Sequence, residues 1–524
     1  MLTRYESVRL FVARARDAQQ DFALSDETAA AVAAICARVD GLPLVIELVA
    51  ARIHVLSPEG ILARLGERLR MATGGPRDAP DRHRTLRAAI DWSYDLLEPA
   101  EQALFARLAV FAGGRTLEAI EAVCDPDGEL GLDPLDGVQS LLHKSLLQRE
   151  DGHDGTPRLV LLETMHEYAR ERLAASGEQA VLATRHLGYF LALAEDAAPR
   201  LTGAEQGRWL DTLEIEHENL RGALRWAHAS GAVAEELRLA GALWRFWYLR
   251  GHLTEGAAFL GAALASADAA GDLHTTAAWA TAAHGAGVLA WVRADYDRAV
   301  RLGERALAVW RRLEQRPGMA ASLNLLGLVA MDQGAWDRAE AAHAESLSLR
   351  DKGDRWGRAT SLHNLGAIAR RRGDRERALA LYEESLTLRQ ALGDLAGLAI
   401  SARDRATLAL EEGDEARAVA LYRASLAHAS RLGDTSGIAM VLEGLALVAA
   451  RRERAELAAQ LLSVAASLRE RVGAAVPPQE RGDLARLVER LRGALGTRYE
   501  EVGKAARGAA WEALVGALAG EGAL

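Results

Sequence analysis

A repeat of about 40 residues in the second half of the chain limits what it can fold into more than any other feature. Ser322-Leu-Asn-Leu-Leu-Gly327 aligns with Ser361-Leu-His-Asn-Leu-Gly366. In that register small residues recur at Gly287, Gly327, Gly366, Ala406 and Ala446, spaced 40, 39, 40 and 40 apart. Seven positions further on stand Gly334, Gly373 and Gly413, with Ala294 and Glu453 in the outer units. A second small residue recurs at Ala299, Ala339, Ala378, Ala418 and Ala458. Gly353-Asp354, Gly393-Asp394 and Gly433-Asp434 separate the units, each Asp placed to cap the next helix. This is the pattern of a helical-hairpin solenoid. The first small residue lets two helices approach, the glycine turns the chain, and an apolar stripe such as Leu379, Tyr382 and Leu386 packs on the neighbour.

Leu326-Gly327 and Ala339, twelve residues on, resemble the tetratricopeptide repeat. The usual period is about 34, so the helices or loops here are longer. Five units run from about Thr275 to Pro478, after a degenerate one at about Leu239–Gly271. The resemblance implies a protein or peptide partner on a concave face, and leaves open which residues line it.

The first half reads differently. Ser25 is a candidate N-cap for a helix with Val32, Ile35, Cys36 and Val39 on its apolar face, closed by Gly41. Pro43 then opens an apolar helix that runs to Ile53. Residues 71–82 have the Gly/Pro content of a linker. Helices are predicted at Leu86–Leu97, Pro99–Val110, Thr116–Val123 and Leu135–Lys144, and strands at Ser145–Gln148 and Arg158–Leu162 around Asp151-Gly-His-Asp-Gly155. Another helix follows at Met165–Leu173. Helices followed by a hairpin suggest a winged helix, but Arg84–Arg172 holds nine Lys/Arg against seventeen Asp/Glu, a net charge of −8. Phosphate contacts need the opposite balance. Read as the recognition helix, Thr116–Val123 carries Glu118 and Glu121 and no base-reading Arg or Asn, so direct DNA binding is not expected.

Composition narrows the function classes. The chain of 524 residues is 50% hydrophobic and 26% charged, which suits several ordered domains. Its net charge of −10 argues against a nucleic-acid coat. Cys36 and Cys124 are too few for a disulfide framework or a zinc cluster. The only lysines are Lys144, Lys352 and Lys504, and none sits in the Gly-x-x-x-x-Gly-Lys-Ser/Thr of a P-loop, so the chain is not expected to be an enzyme. The apolar run Leu42–Leu56 is broken by Glu47, Arg52 and His54, and no signal peptide is evident at Met1. A cytoplasmic location away from membranes is expected.

Several stretches together resemble bacterial NB-ARC proteins, signal-transduction ATPases of the STAND class that act as transcriptional regulators of the LuxR or antibiotic-regulatory type. Gly41-Leu-Pro-Leu44 is similar to their GLPL motif. Arg84–Leu97 and Leu104–Gly114 resemble their winged-helix domain, and Glu216–Trp226 the segment before their repeats. The resemblance starts after the P-loop domain, with Walker A and B missing, which implies a truncated product, a fragment or a degenerate member. It implies that Pro43 packs near the adenine of bound ADP and that His166, in Met165-His166-Glu167, faces the phosphates. ADP or ATP binding would need a complete nucleotide-binding domain.

The expected architecture is mostly α. A helical GLPL domain occupies 1–75, a winged helix 81–175, a helical connector 176–234, the solenoid 235–478 and a helical cap 479–524. Three functions follow: a signal-sensing, partner-binding regulatory module, with self-association a further option; an ADP/ATP switch whose P-loop is supplied elsewhere; and a winged-helix DNA-binding regulator. His166-Glu-Tyr-Ala-Arg170 and His217-Glu-Asn-Leu-Arg221 begin like the zinc motif His-Glu-x-x-His, but Arg replaces the second His and no metal site is expected. Gly285-Ala-Gly287 lies in a repeat helix and reads as packing, as does the Trp244, Trp247, Tyr248 cluster.

Overall fold

The computed structural model describes residues 5–508, except positions 20, 39–40, 42, 44–45, 47–49, 51–52, 54–55, 65–89, 91–93, 96, 145, 153–154 and 272. The expected linker at 71–82, most of the helix at 86–97 and half of the GLPL motif lie outside the described residues. The chain forms two compact units, one of residues 1–189 with 218–223 and one of 190–217 with 224–524. Both are helical, and the one sheet among the described residues has two strands.

The first unit begins with α1 (Glu6–Ala18), α2 (Asp26–Arg38) and α3 (Pro58–Arg64). Ser25 caps α2, its Oγ accepting from Thr28 N at 3.3 Å. Then come α4 (Pro99–Arg107), α5 (Leu117–Cys124), α6 (Pro134–His143), β1 (Gln148–Asp151), β2 (Pro157–Val160) and α7 (Glu163–Ser176). Local chemistry sets these starts. Thr116 accepts from Ala119 N to open α5, and Asp133 accepts from Leu135 N, ahead of Pro134, to open α6. Leu104, Phe105, Phe111, Ile120, Leu141 and Tyr168 are buried.

Two expectations change here. The strand expected at 145–148 starts three residues later, because Leu146 and Leu147 are buried and both donate to Leu141 O at the end of α6. The helix in the recognition position, directly before the hairpin, is α6 and not Thr116–Val123. A bridge between Arg115 and Leu159 adds a third extended segment beside the hairpin.

The second unit takes in the end of α8 (Gln179–Ala197), then α9 (Gln206–Ile215), most of α10 (His217–Ser230), α11 (Val233–Arg250) and α12 (Leu253–Ala270). Five helix pairs follow: α13 (Ala277–Val292) with α14 (Tyr296–Arg312), α15 (Arg316–Asp332) with α16 (Trp336–Leu349), α17 (Arg355–Arg371) with α18 (Arg375–Leu392), α19 (Leu395–Glu411) with α20 (Glu415–Leu432), and α21 (Thr435–Arg451) with α22 (Ala455–Val472). α23 (Pro478–Leu495) and α24 (Arg498–Gly508) close the described chain. The five pairs are the five expected units, and α11 with α12 is the degenerate one.

The turn position behaves as the register requires. Gly334, Gly373 and Gly413 have φ of 73°, 81° and 82°, and the outer Ala294 and Glu453 adopt 61° and 60° despite their side chains. Asp354, Asp394 and Asp434 cap their helices by accepting from Gly357, Gly397 and Gly437 N at 2.8, 3.1 and 2.9 Å. In the middle units a buried serine ties second helix to first: Ser346, Ser385 and Ser425 donate to Ala320, Ala359 and Ala399 O at 2.8, 2.7 and 2.7 Å. The apolar stripe of α18 is shifted from the expected one. Ala378, Tyr382, Ser385 and Arg389 are buried, whereas Leu379 is 40% exposed.

Gly366 shows why the first site stays small. A Cβ there would meet the Tyr382 ring at 2.9 Å and Ala378 O at 3.4 Å. Gly366→Trp is expected to cost about 3 kcal/mol or more, the upper end of overpacking. An unchanged thermal midpoint would count against this packing.

Candidate functional site

Each first helix of the five pairs touches the first helix of the next, α13 to α15, α15 to α17, α17 to α19 and α19 to α21, with no comparable contact between second helices. The first helices are therefore the inner layer of a curved array. Their facing side chains sit three positions before the small residue: His284, Asn324, His363, Arg403 and Glu443. Hydrogen bonds on or near this row cross three of the four boundaries between first helices. Trp291 Nε1 donates to Asp332 at 2.8 Å, Asn364 Nδ2 to Asn324 Oδ1 at 3.0 Å, and His363 Nε2 pairs with Asp404 Oδ2 at 2.9 Å.

Charge is concentrated at one place on this face. Arg403 donates through Nε to Asp404 Oδ1 at 3.0 Å. Burial acts to raise the Asp404 carboxyl, but Arg403, His363 and Arg370 together hold it well below the usual carboxylate range. At Asp434 burial outweighs the Gly437 N–H and Arg403 and pushes the carboxyl up to about 6. Burial also raises Glu480 and Tyr248. Burial pushes His284 down to about 4 and His343 down to about 3, so both rings are neutral at pH 7. On this face the donors Arg403 and Asn364 are paired with the acceptors Asp404 and Asn324, so the face is polar and its side chains are fixed in place.

The array also closes on its own beginning. Gln206 Oε1 in α9 accepts from Ala396 N in α19 at 3.1 Å, across 190 residues. The Arg245 guanidinium of α11 lies 4.5 Å from the centroid of the Trp356 ring in α17. Ala475 N donates to Val292 O at 3.1 Å. These contacts tie the repeats to the helices that precede them and the end of the last pair to the first.

In the first unit, Asn219 Oδ1 accepts from Ala112 N and Gly113 N at 3.0 and 3.1 Å, and Nδ2 donates to Gly114 O at 2.9 Å. Two of the stretches that carry the resemblance, 104–114 and 216–226, meet at this clamp. His166 Nε2 lies 3.2 Å from Ala109 O and 2.9 Å from Phe111 O, and burial lowers its pKa. Pro43 is helical and exposed. A separate, open surface depression is lined by Ala34, Ala37, Arg38, Leu62 and Glu163. On α6, in the recognition position, Ser140 donates to Glu101, and Lys144 just beyond its end pairs with Glu101 Oε2 at 2.7 Å.

Comparison with known proteins matches both regions. Residues 278–352, 319–391 and 357–431 fit the tetratricopeptide repeat model, and 97–174 fit a winged helix-turn-helix domain. The chain carries a winged helix and tetratricopeptide repeats. A Mycobacterium tuberculosis (H37Rv) protein named as an HTH-type transcriptional regulator is 43% identical over 254 residues, 48% of this chain and 28% of its own length. An uncharacterised protein of the same strain is 43% identical over 180 residues, 34% of this chain and 46% of its own length. The chain spans less than half the length of either relative. Among solved structures, a STAND protein with a tetratricopeptide repeat sensor from Pyrococcus horikoshii aligns over 96% of this chain and 74% of its own at 14% identity and TM-score 0.42. A Rap protein complexed with competence and sporulation factor aligns over 73% and 98% at 14% and 0.41. At those scores neither likeness bears on function. The winged-helix match places α6 third of three helices, and the tetratricopeptide units are those that bear the inner row. No described helix is long and apolar enough to cross a membrane.

Proposed function

We propose that this chain is the signal-sensing, partner-binding part of a STAND-type transcriptional regulator, holding a protein or peptide on the inner face of its tetratricopeptide repeats. The observation that carries the reading is the set of polar pairs, Trp291–Asp332, Asn324–Asn364 and His363–Asp404, each of which crosses one boundary between successive first helices. The relative named as an HTH-type transcriptional regulator supports the regulatory context. Direct DNA contact is not part of this reading. The winged segment is acidic, and Lys144, next to the recognition-position helix, is spent on Glu101. Catalysis is not part of it either, because no Gly-Lys-Ser/Thr is present to hold a triphosphate. A second reading, an ADP/ATP switch completed by a P-loop from elsewhere, draws on the GLPL stretch and His166. With Nε2 facing two carbonyls, that ring could offer a phosphate only its Nδ1. We place the chain in the cytoplasm, with self-association as one form its partner contact takes.

Asn324→Arg puts bulk and charge on the inner face, and Lys352→Glu alters an exposed turn as a control. Partner capture by the full chain is expected to fall at least tenfold in the first and to hold in the second. Equal capture by both, with unchanged circular dichroism, would remove the inner face from the function. In a gel shift, nanomolar DNA binding that survives competitor would restore the DNA reading.

A further inference from the structure

Outside the inner face, one cluster joins four metal-ligating side chains from two helix junctions. At the first junction, between α9 and α10, Glu214-Ile-Glu-His217 places a carboxylate and an imidazole three residues apart. At the second, between α11 and α12, His252-Leu-Thr-Glu255 repeats the spacing in reverse. Gly251, at φ 78°, turns the chain so that His252 stands at the head of α12. The two pairs meet crosswise. His217 Nε2 lies 2.6 Å from Glu255 Oε1, and His252 Nε2 lies 3.1 Å from both Glu214 oxygens. The imidazole centroids are 4.4 Å apart. The ligand atoms of Glu214, His217 and His252 all lie within 4.8 Å of one another.

We infer that Glu214, His217 and His252 bind a divalent transition-metal ion of the zinc class, with Glu255 as the fourth ligand. Two imidazoles and two carboxylates suit zinc, whose bonds to such ligands are about 2.0–2.2 Å, and give a ligand set of charge −2 that the ion neutralises. Ligand atoms about 2.0–2.2 Å from one tetrahedral ion stand about 3.3–3.6 Å apart, so on loading the Glu214, His217 and His252 atoms draw together while the His217–Glu255 contact of 2.6 Å opens. Binding uses the Nε2 lone pairs, so each imidazole carries its proton on Nδ1 in the loaded site. Phe246 walls one side, its ring 5.2 Å from His217 and 5.4 Å from His252. His217 is buried, whereas Glu214 keeps 40% of its side-chain surface exposed, which leaves an entry path. The ion would pin the start of α12 to the α9–α10 junction.

The test uses the untagged full chain, stripped with a chelator and titrated with Zn²⁺ against a chromophoric competitor, and with Co²⁺ followed by its visible absorption. One ion per chain at micromolar affinity or tighter is expected, with a raised thermal midpoint. His217→Gln and His252→Gln are each expected to weaken binding at least 100-fold, and Glu255→Gln 10- to 100-fold. Glu214→Gln changes an exposed group that leaves the fold intact, and is expected to lose affinity similarly. Substoichiometric zinc, or a Glu214→Gln/His252→Gln double variant that binds as tightly as the parent, would show that the cluster is two ordinary histidine–carboxylate pairs.

Discussion

Arg469→Met is expected to destabilise the second unit by about 3–5 kcal/mol, the usual consequence of removing one partner of a buried ion pair. Arg469 Nε and Nη2 donate to Glu443 Oε1 and Oε2 at 2.7 and 2.8 Å, with side-chain exposures of 7% and 9%. Methionine fills much of the volume but leaves Glu443 as a charge with no counter-ion. Arg469 also donates to Ala475 O at 3.0 Å, and Ala475 N reaches back to Val292. The loss therefore extends to the contact that joins the last repeat to the first. Urea denaturation followed by circular dichroism checks the magnitude. The added substitution Glu443→Leu is expected to restore most of the loss, because desolvation of the carboxylate is then relieved. A single variant as stable as the parent would mean that the pair is solvated.

Asp434→Asn is expected to act in the opposite direction, and only above acid pH. Burial pushes this carboxyl from its ordinary 3.8 up to about 6. A folded-state pKa above the unfolded one means that the folded form takes up the proton more readily. Ionisation therefore costs stability, fully above pH 6 and not at all below the unfolded value. Asparagine keeps the acceptor that caps α21 through Gly437 N and removes the charge. The variant should exceed the parent by about 2 kcal/mol at pH 7.5, somewhat less than the full shift implies because the carboxylate keeps some solvent. That margin should close as pH falls through 6 and vanish near 4. Thermal midpoints at pH 7.5 and 4.5 test this, and an equal difference at both values would sink it.

The sequence made the repeats legible because a backbone constraint recurs at fixed spacing. The register placed Ala294 and Glu453 at the turn although neither is glycine, and both take its left-handed conformation. Recognition by residue type fails where the constraint is tertiary. Leu146 and Leu147 look like a strand start, yet burial beneath α6 delays the strand. Leu379 suits an apolar stripe, but the close approach is made one residue earlier, at Ala378. The histidine–carboxylate cluster escapes the His-Glu-x-x-His pattern, which needs both imidazoles on one helix. His252 comes from another junction, and the mirrored Glu-x-x-His and His-x-x-Glu spacing was the available signal. Asn219 is similar, a polar residue in a resembling stretch whose role emerges only with Ala112–Gly114 beside it.

The bond from Gln206 to Ala396 has a consequence for how the repeats come apart. An open solenoid behaves as a one-dimensional chain of neighbours, and its terminal units fray first. Here Gln206 holds the fourth pair 190 residues on, Arg245 packs on the third pair, and Ala475 N at the end of the last pair donates to Val292 O in the first, so the end units have neighbours beyond the next pair in line. Losing the last hairpin then strips contacts from the first. Cooperativity should rise above the nearest-neighbour sum, and amide protection should be level around the array instead of decaying towards its C-terminal end. The same tie makes assembly slow at one step. Forming it closes a very long loop, an entropy loss that must be met before the contacts inside the loop become mutually supporting.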